Sequence, residues 1–87
     1  MTKQSINKDV AVTAVWFDKD CEQVPKRIEF EGRSYTFIDR GLRYCITHGE
    51  HMTRLFDLTD GESHFRLKNE QGSSTWNLLW TARQTVR

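Results

Sequence analysis

Arg27-Ile28-Glu29-Phe30-Glu31-Gly32-Arg33-Ser34-Tyr35-Thr36-Phe37-Ile38 is where the fold of this chain is decided. Ile28 and Phe30 alternate with charged residues, Gly32-Arg33 offers a turn, and Tyr35 and Phe37 alternate on the return. With Gly32 and Arg33 as the central residues of a hairpin, Phe30 faces Tyr35 and Ile28 faces Phe37. Successive side chains of a strand point to opposite sides, so all four large side chains share one face. Glycine in the first central position suits a type II′ turn, which requires positive φ there. The stretch predicts a small antiparallel β domain.

The same period runs outward in both directions. On the N-terminal side Val10 to Phe17 (VAVTAVWF) is a β-branched and aromatic run, and predicts a strand apolar on both faces. Asp18-Lys19-Asp20-Cys21 reads as a turn, and Pro25 opens the next strand where its missing N–H is tolerated. On the C-terminal side Asp39-Arg40-Gly41 is a turn, followed by Leu42, Tyr44 and Ile46 in alternation. His48-Gly49-Glu50-His51 leads into Met52 to Leu58. A two-residue turn there pairs Tyr44 with Leu55, whereas one more residue pairs Tyr44 with Phe56 and Leu42 with Leu58. The second register is preferred, because it joins Tyr44, Phe56, Phe65 and Leu78 across four strands.

Asp60-Gly61 is a strong hairpin signal and sets Phe56 opposite Phe65. A two-residue loop at Gln71-Gly72 sets Leu67 opposite Trp76, Phe65 opposite Leu78 and Ser63 opposite Trp80. No window carries a helical period. The expectation is all-β: about seven short strands in meander order, curled into a small SH3-like or related barrel over residues 10–83. Residues 1–9 are expected as a disordered leader and 84–87 as a frayed terminus.

Composition narrows the classes of function. The chain has 87 residues, 37% hydrophobic, 29% charged and 11% aromatic, with a net charge of +1. One domain is expected, and no global field favours nucleic acid or an anionic membrane. Cys21 and Cys45 make no disulfide framework, the N-terminus carries no signal-peptide pattern, and no stretch has the length of a membrane span. A cytoplasmic setting without membrane attachment is the expectation.

Several short motifs recur together: Phe17-Asp18-Lys19-Asp20-Cys21, Pro25, Gly32-Arg33-Ser34-Tyr35, Gly41-Leu42-Arg43-Tyr44, Leu55-Phe56 and Trp76. In this combination the chain resembles a group of small uncharacterised bacterial all-β proteins over most of its length. Cys21 stands where that group has glycine, so a positive φ there would cost about 1–2 kcal/mol. The Asp39–Gly41 connection is shorter than in the group. The resemblance implies a β fold and no known activity.

Each chemistry-bearing cluster also has an ordinary surface or core role. Cys45, His48 and His51, with Cys21 and His64, are zinc-ligand types, but Cys45 and His48 leave a strand on opposite faces. No metal or other cofactor is expected. Nucleophilic catalysis by Cys45 needs a cleft that tight turns do not provide, so an enzyme is not expected. Arg43, His64, Arg66, Lys68 and Asn77 form the candidate ligand or nucleic-acid surface, where the strongly predicted aromatics point inward and only Trp16, Trp80, Tyr35 or Tyr44 are left as stacking platforms. Val12, Ala14 and Trp16 form a candidate partner patch. The leading expectation is a non-catalytic protein-interaction or adaptor barrel, bound to another protein or weakly to a second copy. A small nucleic-acid-binding barrel is the alternative.

Overall fold

Alternating apolar residues become strands along nearly the whole chain. The computed structural model describes residues 3–19 and 22–83. It contains β1 (Lys3–Phe17), β2 (Gln23–Phe30), β3 (Arg33–Thr36), β4 (Leu42–His48), β5 (His51–Thr59), β6 (Ser63–Glu70) and β7 (Trp76–Arg83). The fold is all-β, with no helix among the described residues. All seven strands lie in one antiparallel sheet of order β3-β2-β1-β7-β6-β5-β4. The sheet curls but does not close into the expected barrel, because β3 and β4 remain its two edges.

The expected leader is largely structured instead. From Lys3 onward it is the first half of β1, paired with β7 from Lys3↔Ala82 to Val10↔Trp76. The second half of β1 pairs with β2, from Ala11↔Glu29 to Phe17↔Gln23. β1 thus hands over from one neighbour to the other at Val10–Ala11. The handover folds the β1–β2–β3 wing across the concave face of β7–β6–β5. Irregularities bend the strand where it must turn: one between Ser5 and Lys8, with Asn7 at φ 54, and another around Thr13. Residues 84–87 and Cys21, with the strain expected there, lie outside the described residues.

The core fills the space between wing and sheet. Val24, Ile28, Phe37, Phe56, Leu58, Phe65, Leu67, Trp76 and Leu78 form one buried cluster, and each such side chain contributes about 1.5–3 kcal/mol on burial. Aromatic rings carry the contact across the gap, with Tyr35 and Phe37 lying 5.1 and 5.3 Å from Phe65, while within the sheet Phe56 lies 5.3 Å from Trp76. Val12 and Trp16 pack against this cluster, so Val12, Ala14 and Trp16 do not form the expected outward patch. Phe17 is the outward aromatic there, 59% exposed.

Four registers differ from expectation. The organising hairpin turns on Glu31-Gly32, both with positive φ (51 and 77), so Ile28 faces Tyr35 and Phe30 faces Arg33. That is the type I′ pattern rather than type II′. β5–β6 pairs Phe56 with Leu67 and Leu58 with Phe65. β6–β7 pairs Leu67 with Leu78, then shifts between Arg66 and Leu67 so that Arg66 meets Trp80. β4–β5 adopts the two-residue turn, with Tyr44↔Leu55 and Gly49 at φ 65. The first two slips conserve faces. The bulge in β7 and the register of β4 change them, placing Trp80 and Tyr44 outward and Arg43 on the concave side.

Gly41 fixes how β4 enters. Its φ is 57, and a Cβ there would lie 2.1 Å from the Asp57 carbonyl oxygen and 2.9 Å from Leu58 Cδ2. Gly49 has a similar φ but open space around it. Gly41→Ala should therefore cost about 2–5 kcal/mol, adding a backbone clash to the strain of the left-handed conformation. Gly49→Ala should cost only about 1–2 kcal/mol. Urea denaturation of the two variants checks the difference, and equal midpoints would refute the close approach at Gly41.

Candidate functional site

The two edges of the sheet are unequal. β3 has four residues, carries Arg33, and runs straight into Phe37 and Ile38, whose amides bond to Lys26 and Thr59. β4 has seven residues, all exposed, with no proline and no lysine. A long edge without lysine or proline, whose one arginine is turned away to carboxylates, is open to pairing with another strand, because its outward N–H and C=O groups lack partners in the sheet. On the convex side β4 also displays Leu42, Tyr44 and Ile46, exposed by 61, 42 and 53%.

Those three side chains lead into a cation–aromatic row crossing the convex face. Leu42, Tyr44 and Ile46 lie opposite Asp57, Leu55 and Thr53 of β5, which in turn lie opposite Arg66, Lys68 and Glu70 of β6. The Arg66 guanidinium stands 5.6 Å from the Tyr44 ring and 5.4 Å from the Trp80 ring. It forms a two-pronged pair with Asp57, Nε–Oδ1 2.6 Å and Nη2–Oδ2 2.7 Å. The hydrogen bond that Arg66 donates to Asp57 raises the Arg66 pKa above its ordinary value, with the Asp57 charge adding to it. Lys3 Nζ also stands over the Trp80 ring, 4.6 Å from its centroid. Flat packing of rigid rings and a planar cation preorganises this surface at low entropic cost. Beside it Gly41, Leu42, Leu58, His64 and Trp80 line a shallow, mostly apolar depression of about 380 Å³.

Of the residues expected to form one ligand surface, His64, Arg66, Lys68 and Asn77 share this face. Each of the last three is engaged: Arg66 with Asp57, Lys68 with Glu70 at 3.7 Å, and Asn77 with Asp9. Arg43 is not with them. It lies on the concave side, where Nη1 donates to Asp18 Oδ2 at 2.7 Å and Glu22 Oε2 at 2.9 Å. Glu22 also accepts from Arg54 at 2.6 Å, and Arg54 reaches Asn69, whose amide donates to the carbonyls of Ser73 and Thr75 at 3.0 Å. This network ties the β1–β2 turn to β4, β5 and the β6–β7 loop. Arg43 is a clasp residue.

Tyr44, Trp80, Leu42 and Ile46 are the surface residues that sequence reasoning placed inside. A sign for Trp80 exists in the run Leu78-Leu79-Trp80, since three consecutive apolar residues cannot all follow a period of two without a bulge. Cys45 is exposed and lies opposite Arg54, while His48 faces His51 at the hairpin tip and His64 pairs with Thr59 at the far end. Among the described residues no three of His, Cys, Asp and Glu gather as a metal-binding group.

The hairpin tip beneath Ile46 is braced by Glu70. Its carboxylate accepts from Thr53 Oγ1 at 2.7 Å and contacts His51 Nε2. The Thr53 hydrogen bond, helped by His51 and Lys68, holds the Glu70 pKa below the usual value. A carboxylate with a lowered folded-state pKa adds stability above its unfolded pKa and loses it as pH falls through the folded one. Glu70→Gln should therefore show a flatter rise of stability with pH across the acidic carboxylate range than wild type. Denaturation midpoints on either side of that range check it, and parallel curves would refute the brace. In comparisons with known proteins, the chain matches no family model, no curated protein and no solved structure.

Proposed function

We infer that this protein is a non-catalytic interaction module whose contact surface is the β4 edge together with the convex row Leu42, Tyr44 and Ile46. One observation carries the reading: the long edge of the sheet is left bare, while the short edge is protected. Strand addition supplies affinity through backbone hydrogen bonds and specificity through alternate side chains. Here Leu42, Tyr44 and Ile46 are those alternate side chains, and the Arg66–Trp80 stack extends the platform behind them. The resemblance to small bacterial all-β proteins and a cytoplasmic location belong to this proposal and bring no activity with them.

Nucleic acid has less support as the ligand. Phosphate binding needs cations free to release counterions. Arg43, Arg66 and Lys68 each already face a carboxylate. Tyr44 and Trp80 could stack on bases, but the Trp80 ring already has Lys3 and Arg66 over it.

A photo-crosslinking residue placed at Ile46 should trap covalent adducts in living cells. The same probe at Ser34, on the protected β3 edge, should trap few or none. Equal labelling at both positions, or none at Ile46, would overturn the reading.

A further inference from the structure

We propose that the partner at β4 is a second copy of this chain, joined edge to edge about a two-fold axis through Cys45. The inference rests on the reading of β4 as the contact surface and names its occupant.

The geometry of the strand carries it. In a hairpin with a two-residue turn the flanking pair, here His48↔His51, is hydrogen-bonded, and bonded pairs then alternate along the ladder. Ile46, Tyr44 and Leu42 therefore turn their backbone groups toward β5. Arg43, Cys45 and Thr47 turn theirs to the open edge. Cys45 is the middle residue of the seven in β4. A strand meeting its own copy antiparallel about that residue uses its whole length. Cys45 bonds to Cys45, Arg43 to Thr47 and Thr47 to Arg43, about six new backbone hydrogen bonds in all.

The side chains are self-complementary in the same register. On the convex face Tyr44 meets Ile46 of the second copy and Ile46 meets its Tyr44, an aromatic–β-branched pair of the kind that stabilises sheets. Leu42 meets His48. On the concave face Arg43, the one cation of the strand apart from its histidine, meets Thr47 and not another Arg43. Its charge is already matched by Asp18 and Glu22, so no repulsion opposes the approach. A two-fold contact of this type closes on itself and leaves the two protected β3 strands, one from each copy, as the ends of the combined sheet among the described residues.

Purified full-length protein under reducing conditions tests the assignment by light scattering. Wild type should pass from one chain to two as concentration rises between about 1 μM and 1 mM. Cys45→Lys and Cys45→Glu each place like charges face to face on the axis and should raise the dissociation constant at least about tenfold. An equimolar mixture of the two variants should recover the dimer, which also shows that both are folded. A strict monomer throughout, or a dimer undiminished in both variants, would overturn the second copy as the partner. If the Ile46 probe still traps adducts of other mass in cells, the occupant alone is wrong. If the probe traps nothing, the β4 reading fails with it.

Discussion

The fold depends on β1 serving two neighbours in succession. Its first half completes the sheet of β7, β6, β5 and β4, and its second half carries β2 and β3. The two neighbours lie on opposite edges of β1, so one strand can serve both, and the irregularities near Asn7 and Thr13 bend it on either side of the handover. Because the two halves bear different neighbours, the wing folds back over the sheet, and the apolar faces of both meet. Val10 and Val12 sit on either side of the handover and pack on the core from there. Along the apolar run Val10, Val12, Ala14 and Trp16 are partly buried while Ala11, Thr13 and Phe17 are exposed, and only Val15, beside the irregularity, breaks the alternation.

Closing the remaining gap by strand pairing would make a barrel. Here side chains do it instead. Arg43 and Arg54 reach Glu22, Arg43 also reaches Asp18, and Arg54 continues to the buried Asn69. Partly exposed pairs of this kind are worth roughly 0–1 kcal/mol each, so the apolar cluster and not the clasp supplies the stability. What the clasp supplies is placement. It holds the β1–β2 turn against the concave side of β4 and leaves the other side of β4, and its outer edge, uncovered. An open sheet is thus kept compact without consuming the edge that strand pairing would have used.

That division separates clasping from exposed residues on one strand. Arg43 points inward to carboxylates, whereas Leu42, Tyr44 and Ile46 point outward and remain exposed. Natural sheets usually protect an edge with lysine, proline, a bulge or shortness. β3 has the last of these, and its continuation is tied down at Phe37 and Ile38. β4 has none. Leaving apolar, β-prone residues on an unprotected edge carries an aggregation cost, which is compatible with solubility when a defined partner covers the edge.

The contrast between what the sequence disclosed and what it hid follows from the period of a strand. Slipping a pairing by two residues changes neighbours but not faces. Hence Ile28, Phe30, Tyr35 and Phe37, or Phe56, Leu58, Phe65 and Leu67, are legible as interior although their partners are shifted. Slipping by one exchanges the faces, and the β4–β5 hairpin turned on that single residue. A turn at Gly49-Glu50 and a turn one residue longer suit the local sequence about equally. The choice is made by tertiary contacts: Arg43 finds Asp18 and Glu22 only when it points inward, and Tyr44 finds Arg66 only when it points out. The exposed row on β4 is the part of this chain whose identity rests on one residue of register, so the core could be read from alternation while that surface could not.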